Sequence, residues 1–262
     1  MWTYQHSHFL VHQIPALHDN YIYLVQDCHS DAVCVVDPAI ASSVQTACQT
    51  LNLQPTHIFN THHHWDHTDG NRALIEKYGV EVIANANDAA RIPGISRPVP
   101  AETSLNIGSL NIHTLDLPGH TLGHIAFVID DALFCGDTLF GAGCGRVFEG
   151  SMAQMWHSLQ KLYALQDDTK VYCAHEYTLP NLRFAKAVDK HNEALKKRIS
   201  DDTRTRMKQQ PTIPSTLGLE KQTNPFLRPF NPEFVRQYNQ ENKTKMDAFE
   251  VFQDLRKRKN TW

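Results

Sequence analysis

Several features that would place the protein in a special class are missing from its 262 residues. No apolar run approaches the roughly 20 residues that a membrane span needs, so we expect no membrane association. The formal net charge of −3 gives no general attraction to nucleic acid or to anionic membranes. The first residues lack the basic and apolar regions of a signal peptide, and we therefore expect a cytoplasmic protein.

Closely spaced cysteines are missing as well. The six cysteines are scattered along the chain and form no C-x-x-C pair. Buried free thiols in a reducing compartment are therefore favoured over a disulfide framework. Zinc ligation by cysteine is disfavoured too, because structural zinc sites bring cysteines together at short spacings.

Histidine, in contrast, is abundant, and four histidines fall in the segment THHHWDHTDG, residues 61–70. Imidazole is the commonest metal-binding side chain near neutral pH. If a strand ends just before this segment, His62 and His64 point to one side of the extended chain. Asp66 and His67 then open a turn into a helix and can face the same point. The segment is predicted to supply ligands to two neighbouring metal ions.

A solvated, His-rich loop is the alternative interpretation of this segment. It is disfavoured because the cluster lies between a strand signal and a helix start, and because strong ligands follow later strands. His120, Asp137 and His175 each come at or just after the end of an apolar run. Ligands that project from strand ends converge on one edge of a sandwich, so these residues are expected to join the site.

The order of predicted elements indicates a mixed sheet with helices outside it. Runs of apolar and alternating residues predict strands, and the stretches between several of them have helical patterns. Proline-rich stretches predict loops at residues 92–100 and 211–225. Beyond Tyr177 no strand signal remains, so the rest of the chain is predicted to be all-helical.

One aspartate is left with two interpretations. Asp37 ends the apolar strand predicted for residues 32–36 and precedes Pro38. It either orients a ligand histidine through a hydrogen bond or is a plain turn residue.

Four motifs carry a resemblance to a known family. T-H-x-H-x-D-H, at residues 61–67, resembles the signature of the metallo-β-lactamase fold superfamily. The longer THHHWDHTDGN, together with CGDTLF (135–140), GCGR (143–146) and AHEYT (174–178), is similar to the hydroxyacylglutathione hydrolases, or glyoxalase II. The resemblance covers essentially the whole chain.

This resemblance implies an α/β fold, a four-layer αββα sandwich in residues 1–176, followed by an all-helical glutathione-binding domain in residues 177–262. It implies one metal ion on His62, His64 and His120, a second on Asp66, His67 and His175, and Asp137 between them. Asp66 and Asp137 are the implied catalytic carboxylates, whereas His63 and His124 are not expected to bind metal. The donors suit zinc, with iron or manganese as alternatives.

The resemblance also implies the residues that hold glutathione. Arg146, Tyr177, Arg256 and Lys259 match the family's contacts, and Phe148 stands where a tyrosine is common. Arg256 and Lys259 lie three residues apart in a predicted helix and so share a face. We expect them to be partly exposed charge contacts; without the resemblance, a solvated basic tail would be the preferred interpretation.

The implied activity is hydrolysis of S-(2-hydroxyacyl)glutathione, chiefly S-lactoylglutathione, in the second step of methylglyoxal detoxification. A hydroxide that bridges the two metals is the implied nucleophile. A glutathione persulfide dioxygenase, another ester or lactone hydrolase of this fold and a non-catalytic zinc module are alternatives. A nuclease is disfavoured by the negative net charge. We expect a monomer whose partner is a small-molecule glutathione thioester.

Overall fold

The structure is a computed structural model that describes residues 1–262. The chain divides into two compact units. The first comprises Met1–Asp116 and Gly123–Gly136, and the second comprises Leu117–Leu122 and Asp137–Trp262. None of the helices combines the length and the apolarity that a membrane crossing requires.

The first unit contains a seven-stranded sheet whose strands follow the order of the chain. Its strands are β1 (Trp2–Gln5), β2 (Phe9–Ala16), β3 (Asn20–Asp27), β4 (Val33–Val36), β5 (His57–Phe59), β6 (Glu81–Asn85) and β7 (Arg97–Val99). β1 to β4 pair antiparallel, and β4 to β7 pair parallel. Parallel strands require crossovers, and helices α1 (Ala41–Leu51), α2 (Trp65–Thr68) and α3 (Asn71–Tyr78) lie in them. The ends of β4 and β5 therefore meet at one edge of the sheet.

Apolar burial explains why these strands form. Val35 and Ile58, on neighbouring parallel strands, are fully buried and pack in one cluster with Val44 of α1 and Leu74 of α3. Parallel strands that are buried on both faces have continuous apolar sequences, as β4 does. Removal of that apolar surface from water stabilises the edge from which the following loops project.

Four further strands of the first unit form an antiparallel meander. They are β8 (Ser104–Ile107), β9 (Leu110–Asp116), β10 (Ile125–Ile129) and β11 (Ala132–Gly136). Gly108 turns the first hairpin with a φ of +57°, and an added Cβ would lie 2.0 Å from Ser30 Oγ. This turn therefore requires glycine.

The second unit is mainly helical and also contains two short strand pairs. Its strands are β12 (Leu139–Phe140), β13 (Gly143–Cys144), β14 (Lys170–Cys173) and β15 (Ser215–Thr216). Its helices are α4 (Met152–Tyr163), α5 (Thr178–Val188), α6 (Glu193–Met207), α7 (Leu217–Thr223), α8 (Pro232–Asn242) and α9 (Ala248–Asn260). α4 and α9 both begin with a capping box, from Ser151 and from Asp247.

Three predictions about elements are wrong. The predicted loop 92–100 contains β7, because an edge strand tolerates Pro98. The predicted loop 211–225 contains α7, which begins where the Thr216 side chain accepts a hydrogen bond from Leu219 N. The region beyond residue 177 is not all-helical, since β15 pairs with β14; a two-residue strand is too short to show alternation. The predicted domain division at residues 176 and 177 stays a prediction.

Candidate functional site

The histidine-rich segment follows β5 and brings its donors together within the first unit. His62 Nε2 lies 3.0 Å from His64 Nδ1, and His67 Nε2 lies 3.6 Å from Asp66 Oδ2. His62 and His67 are fully buried. Asp66 and His67 lie on the short helix α2, as the predicted turn into a helix requires. The strand–loop–helix path therefore turns all four predicted ligands of this segment into one cluster.

Asp37 holds this cluster from the end of the neighbouring strand. Its Oδ2 lies 2.9 Å from His67 Nδ1 and accepts a hydrogen bond from Thr61 Oγ1 at 2.7 Å. Its Oδ1 accepts from Thr61 N at 2.8 Å. Of the two interpretations of Asp37, the structure supports the one in which it orients a histidine. Asp37, His62 and His67 also have ligand atoms within 4.8 Å of one another, but both carboxylate oxygens of Asp37 are engaged by hydrogen bonds.

Hydrogen bonds to Nδ1 fix which nitrogen several histidines present. A carboxylate accepts from His67 Nδ1, and the carbonyl of Arg146 accepts from His120 Nδ1 at 2.9 Å. Thr61 Oγ1, which donates to Asp37, is left to accept from His62 Nδ1 at 3.0 Å. In each of these rings Nε2 is therefore the unprotonated nitrogen, as a metal ligand requires.

The remaining donors form a second cluster, within the second unit. His120 Nε2 lies 3.4 Å from Asp137 Oδ2, and His175 Nε2 lies 3.4 Å from Asp137 Oδ1. One carboxylate thus faces two imidazoles, each with a different oxygen. All three residues are buried. Gly145 allows the approach of the next loop, since an added Cβ would lie 2.0 Å from the carbonyl oxygen of Asp137.

The chemistry of the two donor clusters fits divalent metal ions. The donors are imidazole nitrogens and carboxylate oxygens without a thiolate, a set that suits first-row metals. The unprotonated Nε2 atoms of His67 and His120 face carboxylate oxygens at 3.6 and 3.4 Å, and such lone pairs repel unless a cation lies among them. The fold and these His/Asp clusters support a binuclear metal site.

Two other histidines of the motifs have different surroundings. His63 Nδ1 lies 3.3 Å from Asp88 Oδ2, and Arg91 Nη1 lies 3.3 Å from His63 Nε2. The ring of His124 stacks on that of His62, with centroids 4.9 Å apart. Neither residue belongs to a group of donors with convergent ligand atoms.

A cavity of about 670 Å³ in the second unit adjoins the second cluster. Its lining includes two of the donors, His120 and Asp137, and all five residues expected to contact substrate: Arg146, Phe148, Tyr177, Arg256 and Lys259. The ring of Tyr177 stacks on that of His175 at 4.7 Å, and the ring of Phe148 lies 5.2 Å from that of His120. The cavity therefore runs from the donor cluster to the C-terminal helix.

Positive charge is concentrated where helix α9 lines this cavity. Burial lowers the pKa of Lys259, and the nearby cations Arg256, Arg183 and Arg146 lower it further. Such mutual repulsion is relieved when an anion binds. Arg183 was not among the predicted residues, because a single exposed arginine on α5 carries no motif.

Arg256 departs from the expectation of a partly exposed contact. Its side chain is only 3% exposed, and its Nη1 donates to the carbonyl of Cys144 at 2.8 Å. Its guanidinium also lies over the ring of Phe226, 4.8 Å from the centroid. The expectation is wrong for Arg256, which holds the backbone in addition to lining the cavity. Lys259 is partly exposed, as expected.

Several asparagines that support the site had no sequence signal. Asn20 Nδ2 donates to Asp66 Oδ2 at 3.1 Å, and Asn60 Nδ2 donates to the carbonyl of His67 at 2.9 Å. Asn181 lines the cavity and donates to a backbone carbonyl of its wall. Lone asparagines at strand ends and helix starts are common, so only the folded structure distinguishes these three.

Two family models together match residues 17–262. The model of the metallo-β-lactamase superfamily matches residues 17–175, and that of the hydroxyacylglutathione hydrolase C-terminus matches residues 176–262. The chain is 48% identical over 252 residues to a hydroxyacylglutathione hydrolase of Rhodospirillum rubrum, with 95% of this chain and 97% of that protein covered. It is 45% identical over 252 residues to one of Methylococcus capsulatus, at the same coverage.

Solved structures agree on the fold. The crystal structure of ETHE1 from Myxococcus xanthus matches with a TM-score of 0.66 and 25% identity, covering 92% of this chain and 94% of that chain. A protein described as TTHA1623 in a di-iron-bound form matches with a TM-score of 0.57 and 25% identity, covering 82% of this chain and 98% of that chain. The predicted α/β metallo-β-lactamase fold with a C-terminal helical region is confirmed.

Proposed function

The chain belongs to the hydroxyacylglutathione hydrolase family of the metallo-β-lactamase superfamily, and from that premise we propose how its residues carry out thioester hydrolysis. The protein is a thioester hydrolase of the glyoxalase II type. The proposed substrate class is S-(2-hydroxyacyl)glutathione, with S-lactoylglutathione as its main member. The products are a 2-hydroxy acid and free glutathione.

One observation carries the proposal: a single cavity is lined by donors at one side and by cations at the other. His120 and Asp137 line it together with Arg146, Arg256 and Lys259. Glutathione is a peptide with two carboxylates, and its thioester carries the acyl group to be cleaved. A ligand of that chemistry has anionic ends for the cations and a reacting end for the donor cluster.

We assign the seven donors to two divalent metal ions. His62, His64 and His120 would hold one ion, Asp66, His67 and His175 the other, and Asp137 would contribute to both. When bound, a metal pair supplies hydroxide at neutral pH and stabilises negative charge that develops on the thioester oxygen. Zinc is the proposed metal, with iron or manganese as alternatives, because imidazole and carboxylate donors can hold each of them.

The chain's own residues orient the donors and the substrate. Asp37, Thr61 and the Arg146 carbonyl hold the Nδ1 atoms of three histidines, so that their Nε2 lone pairs are fixed before a metal or substrate binds. Asp137, with one oxygen toward each imidazole, would neutralise part of the charge of a bound metal pair. Such preorganisation lowers the cost of assembling the transition state.

Lys259 and Arg146 are the proposed contacts to the carboxylates of glutathione, and the ring of Tyr177 supports the substrate beside His175. Phe148 is 61% exposed beside His120 and lacks the hydroxyl that a tyrosine would offer. If the family's tyrosine donates a hydrogen bond, its absence here weakens binding by about 1 kcal/mol. Arg256 contributes charge to the cavity and holds its wall.

The test compares two thioesters, one of glutathione and one without glutathione. Lys259→Ala should raise KM for the glutathione thioester about fivefold, with little change in kcat, because the contact is equal in ground and transition states. Turnover of the small thioester should not change. Lys257→Ala, which removes an exposed cation of the same helix, is the control and should leave both substrates unaffected. An equal effect of Lys259→Ala on both substrates would refute the glutathione contact.

The physical state of the enzyme is part of the same proposal. We propose a monomer that acts in the cytoplasm on a small-molecule substrate. Light scattering on the purified protein gives its mass in solution. A dimer mass would contradict the monomer without bearing on the hydrolysis.

A further inference from the structure

One short hairpin in the second unit is held by side chains rather than by other backbone. Residues 139–144, the cavity hairpin, comprise β12, β13 and the turn between them. Asn224 Nδ2 donates to the carbonyl of Phe140 at 3.2 Å and to that of Gly143 at 2.9 Å. Glu220 Oε2 lies 3.0 Å from the same nitrogen, so its two N–H groups are shared among three acceptors. The amide of one asparagine thus spans both strands of the hairpin.

The other polar backbone groups of the turn have similar partners. Glu220 Oε2 accepts from Ala142 N at 2.9 Å, and Asn181 Nδ2 donates to the carbonyl of Gly141 at 3.0 Å. The turn is buried, so each group would lose its hydrogen bonds to water without these partners. Ala142 also adopts a φ of +53°, a conformation that a residue other than glycine keeps only when its surroundings hold it.

The residues that hold the hairpin are themselves fixed. Glu220 and Asn224 are fully buried. Arg198 Nη2 donates to Glu220 Oε1 at 2.6 Å, and Ser215 Oγ donates to the same oxygen. The carboxylate is therefore paired on one side with a guanidinium, while its other oxygen is directed at the hairpin. This arrangement is preorganised and costs no side-chain ordering when substrate binds.

The hairpin lies between the two ends of the cavity. It begins two residues after Asp137 and ends two residues before Arg146. Phe140 lines the cavity, with its ring 5.2 Å from that of Tyr177 and 5.9 Å from that of His175. A shift of the hairpin would therefore move the wall that lies between the donor cluster and the cations.

We infer that Asn224 and Glu220 are positioning residues for substrate binding, which act by holding the cavity hairpin in place. None of their side-chain hydrogen bonds reaches a metal donor or an expected substrate contact. The inference rests on the proposed function, because it assigns to these residues the part of the cavity that fits glutathione. Asn224 holds the hairpin through a carbonyl of each strand, and Glu220 holds it through the N–H of Ala142 in the turn.

The experiment is Asn224→Leu in the metal-loaded enzyme. Leucine keeps the branching of asparagine at Cγ and removes its polar atoms. The hairpin therefore loses two bonds, and Phe226 N loses its bond to Oδ1. KM for the glutathione thioester should rise about five- to tenfold. Turnover of a glutathione-free thioester and metal content per chain should stay within about twofold of the wild-type values.

Asn239→Leu is the matched control. It is the same substitution at an asparagine that bonds the carbonyl and the N–H of Met246 but not the hairpin. It should leave both substrates unaffected. An unchanged KM in Asn224→Leu, or an equal loss on both substrates in Asn224→Leu, would overturn the inference. The proposed function fails separately, if the wild-type enzyme does not hydrolyse the glutathione thioester.

Hydrogen exchange on the wild-type enzyme tests the premise without a substitution, should Asn224→Leu fail to fold. The amide of Ala142 should exchange as slowly as the amides of β14, because Glu220 holds it in a buried turn. Rapid exchange of this amide in the folded enzyme would contradict the positioning role.

Discussion

At the scale of single residues, the hydrogen bond that a histidine donates from Nδ1 determines that its Nε2 carries the lone pair. His67 and His120 donate from Nδ1 to a carboxylate and to a carbonyl, so their Nε2 atoms carry lone pairs before any metal arrives. The motif predicts the ligand histidines, but it does not contain these acceptors. Asp37 comes from another strand, and the carbonyl of Arg146 from another loop. The sequence therefore predicts which histidines are metal ligands and leaves the orientation of their rings open.

Replacement of Asp37 by asparagine should weaken metal binding. The amide keeps the size of the carboxylate but loses the charge that holds His67 and Thr61. We expect a loss of roughly 10- to 100-fold in metal affinity, measured by competition with a chelator. Asp27→Asn is the control, since Asp27 bonds Ser30 and Ser109 and no ligand histidine. Equal metal affinities of the two variants would argue against an orienting role for Asp37.

Asp137→Asn tests the carboxylate that faces two imidazoles. Asparagine offers one oxygen and no charge, so it cannot face His120 and His175 as the carboxylate does. The variant should fold normally and hydrolyse thioester at least roughly 100-fold more slowly. Circular dichroism, metal content and kcat are the measurements. Full activity with two metals bound would show that Asp137 does not have this role.

The lowered pKa of Lys259 predicts that binding of the glutathione thioester depends on pH. Its pKa lies below its usual 10.5 because of burial and neighbouring cations. As the pH rises through that lowered value, the ammonium loses its proton, the carboxylate of the substrate loses a partner, and KM should rise. Lys259→Arg keeps its charge to higher pH and should lack this rise. The same alkaline rise in both enzymes would assign it to another group.

At the scale of elements, the strands that the sequence predicts are those with a continuous or alternating apolar pattern. β4 was predicted on this basis as a strand over residues 32–36, and it forms at Val33–Val36. β7 was missed because Pro98 is tolerated at a sheet edge. The hydrogen bonds that hold the cavity hairpin could not be predicted, because Asn224 is 84 residues from Phe140 in the chain.

Arg256 attaches helix α9 to the cavity wall. Replacing the Arg256 side chain should therefore lower the free energy of unfolding. Arg256→Ala leaves the carbonyl of Cys144 without its guanidinium partner and removes the contact with Phe226. We expect a decrease of about 2 kcal/mol in the free energy of unfolding, measured by urea denaturation. Lys257→Ala, on the exposed face of the same helix, should change it by less than about 0.5 kcal/mol. If the two variants are equally stable, the buried bond contributes nothing to stability.

At the scale of the whole molecule, the compact units do not follow the family boundary. The family models meet at residues 175 and 176, whereas the second compact unit begins at Asp137 after a separate segment, 117–122. The sequence predicts the first division because the hydrophobic pattern changes near Tyr177. It does not show the second, which brings together residues far apart in the chain, such as Phe140 and Asn224.

Truncation after Tyr177 should therefore do more than abolish turnover. It removes Asn181, Glu220 and Asn224 and leaves buried backbone groups of the cavity hairpin without partners. We expect residues 137–177 to become protease-sensitive in the truncated chain, as limited proteolysis with mass spectrometry would show. A truncated chain that resists proteolysis and melts as the full chain does would contradict this.

The most direct measurement of the central claim is anaerobic turnover of S-lactoylglutathione during metal titration. Metal-free protein should be inactive, and hydrolysis should rise with added zinc, iron or manganese until two ions are bound per chain. Free glutathione and lactate should appear in equal amounts without oxygen. Turnover that requires oxygen, or full hydrolysis by metal-free protein, would contradict a binuclear metal thioesterase.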